Sequence, residues 1–159
     1  FFGGGGGTLL MREWHEYAGF VFAPVLVVMI LIWIAEAIPR LYDFSWFSHF
    51  GGYLGYKGQL KSGKFNAGQK MWYWIMAVAG VLLSVSGFVL FFKSGEMENL
   101  RYNVLLHFFS AIPIVLMFLV HLYMTTIGSK GAFMGMINGK FSKTAAENYH
   151  SEARQLQAQ

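Results

Sequence analysis

The sequence contains no cysteine. That excludes disulfides, and it excludes any iron–sulfur cluster held by this chain, because such clusters rest on thiolate ligands. A redox metal bound here has only histidine or methionine to hold it. Charge is scarce as well. Asp, Glu, Lys and Arg make up 13% of the 159 residues, about half the share of an ordinary soluble domain. The lead Phe1–Thr8 (FFGGGGGT) carries no charged n-region, so it is expected to be a flexible segment rather than a signal peptide. What is abundant is apolar: 55% of residues are hydrophobic and the mean hydropathy is +0.44. The apolar runs are long and unalternating, the pattern of membrane-spanning helices. The net charge of +4 calls for no nucleic acid partner and is better read through its placement.

Three runs predict an all-α transmembrane helical bundle with spans at about 13–38, 71–92 and 101–127, a connection at 39–70 and a tail at 128–159. Together they form one membrane domain over 1–159. Pro24 is expected to kink the first span, which a membrane helix tolerates when neighbours satisfy the freed carbonyl. In the connection, Phe44, Trp46, Phe47 and Phe50 suit a short helix lying in the interface. In the second span Gly80, Ser84 and Gly87 share one face, which fits either close helix packing or room for a flat ring. A short amphipathic helix is expected near 133–137. All twelve basic residues except Arg12, Lys93 and Arg101 lie in the connection, the tail or their edges. The positive-inside rule then puts that side in the cytoplasm.

The third run, VLLHFFSAIPIVLMFLVHLYMTT over 104–126, has no Asp, Glu, Lys or Arg, but it carries His107 and His121. They are 14 positions apart. At about 100° and 1.5 Å per residue the two rings leave nearly the same face, roughly 21 Å apart along the axis. His15 stands at the outer end of the first span, level with His107. Gly19 follows His15 by one turn and Ala111 follows His107 by one turn, small residues that let a flat ring lie against the backbone. Three uses fit these histidines: hydrogen bonding across helices, a proton relay, and haem ligation between helices. The span interiors lack the carboxylates a relay more often contains, which favours haem on His15 and His107. His121 has no evident histidine partner in this sequence. His49 and His150 sit in polar stretches and read as solvated.

Several strings resemble one family: His15 with Gly19, KFNAGQK at 64–70, the pair His107 and His121, and KGAFMGMINGKFS at 130–142. They are similar to the cytochrome b (gamma) subunits of membrane-bound formate dehydrogenases. These belong to the wider di-haem cytochrome b family of hydrogenases and thiosulfate reductases. The resemblance covers about Met11 to Ser142.

The resemblance implies four transmembrane helices and two b haems. The outer haem would be held by His15 and His107. The inner one would be held by His121 and by a histidine on a first helix that has no counterpart here, so the chain is expected to continue upstream. It also implies a quinone, menaquinone or ubiquinone, beside the inner haem at Asn66, Gly68, Gln69 and His121. Asn and Gln supply amide donors for a quinone carbonyl, although Asn66 and Gln69 equally suit a helix cap.

The implied role is electron transfer across the bacterial cytoplasmic (inner) membrane, with quinone reduced on the cytoplasmic side. Electrons would come from an outer iron–sulfur subunit, and formate would be oxidised on a separate molybdenum- or tungsten-containing subunit. The alternatives are a cytochrome b subunit of a hydrogenase or thiosulfate reductase, or a membrane anchor that carries no electrons.

Overall fold

The computed structural model describes residues 5–52, 54–56, 58, 60–93, 95–128, 133 and 137. Among them the regular structure is helical and no strand occurs. Four α-helices follow in order: α1 (Gly5–Ala37), α2 (Asp43–Ser48), α3 (Ala67–Phe92) and α4 (Met97–Tyr123). A 3₁₀ turn spans Phe50–Gly52, and a π-helical turn, Met124–Gly128, extends α4. Three of these helices are long and apolar enough to cross a membrane: Gly6–Ala37, Ala67–Phe92 and Met97–Gly128.

The helices begin earlier than hydropathy alone indicates. α1 starts by Gly5 instead of near residue 13, so the second half of the Gly-rich lead is helical. Adding a turn to an existing helix avoids the nucleation cost, so even glycines can join at its end. α1 also runs unbroken through Pro24, and α4 through Pro113. The interfacial helix expected around the aromatic insert is α2. Most of the string 130–142 and of the proposed tail helix, and His150, lie outside the described residues. Of that helix, Phe133 and Ile137 are described; both are helical and exposed.

The chain divides into two compact units, Phe1–Ile32 with Met76–Ile114, and Trp33–Ile75 with Val115–Gln159. In the first unit the buried side chains are mostly small or polar: Ala77, Ala79, Ser86, Asn103 and Ser110, with Leu26. Its large apolar side chains, such as Val21, Val28, Leu31, Phe108 and Phe109, are exposed. This inversion of a soluble core is what a bilayer selects. Lipid is as apolar as leucine, so helices meet through small residues that let backbones approach. A Cβ built on Gly80 would lie 2.8 Å from Leu26 Cδ2, and one on Gly87 would lie 3.1 Å from His107 Cε1. The small-residue face of α3 therefore serves close packing at both glycines.

In the second unit, polar and aromatic ties hold the segment between α1 and α3. Trp74 donates its indole N–H to the carbonyl of Ala37 at 2.9 Å, satisfying a C-terminal carbonyl of α1. Glu36 pairs with Lys64 at 2.9 Å in an exposed bridge of little energetic weight. A different pair is fully enclosed. Lys70 Nζ lies 2.9 Å from Asp43 Oδ2, with only 4% and 8% of the two side chains exposed.

Candidate functional site

In the first unit, α1 and α4 bring His15 and His107 together. Their ring centroids are 6.0 Å apart and the planes cross at 83°. His107 is half-buried and held from α3. Its Nδ1 lies 3.0 Å from the Leu83 carbonyl oxygen and 3.1 Å from the Ser86 hydroxyl. A carbonyl oxygen only accepts, so Nδ1 carries the proton and Nε2 is left with its lone pair. Ser86 is fully buried and donates its own hydrogen to the Leu82 carbonyl at 2.7 Å, which frees its oxygen to accept from Nδ1. Leu83, Ser86 and Gly87, at i, i+3 and i+4, share one face of α3. Glycine at 87 is what lets the imidazole edge come so close.

This arrangement fits a metal held between two imidazoles. If each ring binds through one nitrogen at about 2.0 Å, with its centre about 1 Å further, the centroids stand roughly 6 Å apart. Metal-binding histidines commonly give their other ring N–H to a backbone carbonyl, which fixes tautomer and ring plane and raises ligand basicity. His107 does so. Gly19, one turn along α1 from His15, has no atom within 4 Å of where its Cβ would be. A planar macrocycle edged by the two histidines could lie there. Among the described residues no group of three or more His, Cys, Asp or Glu could hold a metal. Two imidazoles are a donor set that suits a metal bringing its own equatorial ligands, such as haem iron.

The second unit holds His121 and the segment 66–69. Asn66 and Gln69 form a reciprocal capping box at the start of α3. The Gln69 amide N–H donates to Asn66 Oδ1 at 2.9 Å, and the Asn66 amide N–H donates to Gln69 Oε1 at 2.9 Å. The capping role weighed from the sequence is thus present in the structure. It uses both side-chain oxygens and leaves both side-chain NH₂ groups as donors. Gly68 lies between them, and a Cβ there would stand 2.6 Å from Trp46 Cη2 and 3.4 Å from Asn66 Oδ1. One turn beyond Gln69, Trp72 lies against His121, with ring centroids 5.0 Å apart and planes tilted by 31°. Its indole N–H donates to the Met117 carbonyl at 3.0 Å. Trp72 thus places an aromatic ring against His121 one turn along α3 from Gln69.

Sequence reasoning missed Leu83, Ser86, Trp72 and the Asp43–Lys70 pair, and read Trp46 only as part of the aromatic insert. A backbone carbonyl leaves no sequence signal, and tryptophan and serine in an apolar span read as packing. His49 caps the end of α2, its Nδ1 lying 2.7 Å from the Ser45 carbonyl oxygen, and its ring lies 4.0 Å from that of Tyr56. It remains partly exposed.

Comparison with known proteins bears on the family. The family model described as prokaryotic cytochrome b561 matches residues 1–139. The nitrate-inducible formate dehydrogenase cytochrome b556(Fdn) subunit of Escherichia coli K12 is 33% identical, over 87% of this chain and 66% of the relative. The formate dehydrogenase cytochrome b556(fdo) subunit of the same strain is 27% identical, over 89% and 68%. The formate dehydrogenase cytochrome b556 subunit of Haemophilus influenzae is 29% identical, over 89% and 61%. The chain thus spans roughly two thirds of the length of these curated relatives.

Proposed function

This chain belongs to the prokaryotic cytochrome b561 family, and on that premise we propose that it is the membrane subunit of a formate dehydrogenase complex that delivers electrons to a quinone. Haem b is the cofactor the family implies; when bound, it supplies a one-electron carrier at a protein-tuned potential. His15 and His107 hold one such group. The Leu83 carbonyl and the Ser86 hydroxyl keep His107 in the tautomer whose Nε2 is available. The paired imidazoles at 6.0 Å, with Nδ1 of His107 already committed to Leu83, are the observation that carries this assignment. His121 is proposed as a ligand of a second haem, its ring plane fixed by Trp72.

The quinone site is proposed at Asn66, Gly68 and Gln69, on the cytoplasmic side by the distribution of lysine and arginine. Capping fixes the two amide side chains in place, and their NH₂ groups supply the donors that a quinone carbonyl needs. Such a bond strengthens as charge grows on the carbonyl oxygen during reduction. The proposed partners are an iron–sulfur subunit on the outer side and a molybdenum- or tungsten-containing subunit that oxidises formate. The names of the relatives support the complex, and the bacterial inner membrane is the proposed location.

Two measurements on the purified complex test this. A reduced-minus-oxidised visible spectrum should show a b-type band; its absence would leave an anchor without electron transfer. Gln69→Leu should keep that band and slow reoxidation of the reduced haem by short-chain menaquinone about tenfold, the scale of one hydrogen bond. Normal reoxidation together with a lower melting temperature would reduce Gln69 to its capping role.

A further inference from the structure

The enclosed Asp43–Lys70 pair and the indole over Gly68 have no part in the function as stated so far, and both concern the same short helix. α2 has six residues, far too few to persist by its own hydrogen bonds, so its position depends on what ties it down. Asp43, in its first turn, accepts from the Arg40 backbone N–H at 2.7 Å and from Lys70 Nζ at 2.9 and 3.2 Å. Lys70 is the residue after Gln69, in the first turn of α3, and its ammonium also sits 5.1 Å from the centre of the Tyr42 ring. An ion pair so deeply buried gives little net stability, yet removing one partner strands the other charge, so the two groups hold a single geometry.

That geometry places Trp46, on α2, over Gly68. A Cβ on residue 68 would lie 2.6 and 3.0 Å from the benzo edge of the indole. Glycine at 68 is therefore needed by Trp46, whose indole edge covers part of it. The indole edge and Asn66 Oδ1 converge on this point, 2.6 and 3.4 Å from it.

We infer that Trp46 is the aromatic wall of the quinone site at 66–69, and that Asp43 and Lys70 are positioning residues that hold this wall in place. The inference rests on the assignment of the quinone site made above. A flat, apolar quinone head is a natural occupant beside an indole, which offers wide contact at low conformational cost. The contribution is to binding of the ring, while the hydrogen bonds from Asn66 and Gln69 act on the carbonyl. The wall should thus govern how much quinone is needed, more than how fast the bound quinone is reduced.

The test uses the assembled complex in detergent, with its haem pre-reduced by limiting dithionite and reoxidised by short-chain menaquinone over a range of concentrations. Trp46→Ala should raise the half-saturating concentration at least tenfold and change the saturating rate far less, and Trp46→Phe should recover most of the loss. Asp43→Asn should raise the same concentration several-fold with haem content intact. If Asp43→Asn does not assemble, Asp43→Glu replaces it, since the longer carboxylate keeps the charge but displaces α2; it too should raise half-saturation. Wild-type half-saturation in Trp46→Ala overturns the wall, and in the assembled Asp43 variant it overturns the latch. If either happens while Gln69→Leu still slows reoxidation, the quinone site stands and this inference alone fails. If Gln69→Leu is also without effect, the site itself is wrong.

Discussion

Ser86→Ala isolates the hydrogen bond that the fold places on His107. The hydroxyl lies 3.1 Å from His107 Nδ1 and the side chain is fully buried, so no water replaces it. The volume lost is one oxygen, too little for repacking of α3. What changes is the share of the Nδ1–H bond that Ser86 accepts, leaving the Leu83 carbonyl at 3.0 Å alone. A neutral hydrogen bond contributes about 0.5–1.5 kcal/mol net. A shared one falls at the lower end, about 0.5–1 kcal/mol. For a one-electron couple about 59 mV corresponds to a tenfold change, or about 1.4 kcal/mol, so the expected shift is roughly 20–40 mV.

Its sign follows from ligand basicity. Accepting the Nδ1 proton makes the imidazole a stronger donor to the metal, which favours the oxidised iron. Losing part of that bond should raise the potential. Redox titration of the b-type absorbance in the intact complex measures it, and Ser86→Thr, which keeps a hydroxyl, should stay near the wild-type value. A downward shift, or none at full haem content, would refute a tuning role for this contact.

Other outcomes follow from the same geometry. His15→Ala and His107→Ala should each remove about half of the haem absorbance of a complex carrying two haems, as read by pyridine haemochrome assay; full content in both would overturn the ligand assignment. Gly19→Ala adds a methyl group that meets no protein atom within 4 Å, so a protein without haem should tolerate it, whereas a macrocycle lying there should be displaced and haem content should fall. Gly80→Ala places a methyl 2.8 Å from Leu26 Cδ2, and overpacking of this kind should cost about 1–3 kcal/mol. In detergent this would appear as a lower melting temperature, and Leu26→Ala should partly reverse it, so that the double variant is less impaired than the sum of the singles.

Three helices long and apolar enough to cross a membrane, and a short helix at the aromatic insert, were legible in the sequence. A bilayer imposes its requirement on composition along the chain: about 20 apolar residues, whatever their neighbours. The histidines were legible for the same reason, since an ionisable group in an apolar run is costly and needs a use. The helix starts were less so. α1 begins by Gly5 because extension of a formed helix is cheap, and α3 begins at Ala67 because Asn66 and Gln69 close a capping box that hydropathy does not register.

Contacts between elements were decided only by the tertiary structure. That Nδ1 of His107 faces the Leu83 carbonyl depends on how α4 rotates against α3, and that rotation fixes which nitrogen is free for a metal. That Gly68 is covered by Trp46, and that Asp43 meets Lys70 across 27 positions, depends on the path of the connection between α1 and α3. Hydropathy and spacing report what a residue can tolerate along one helix. They carry no record of which side chain from another element arrives at its face, because that is set by the packing of the chain as a whole.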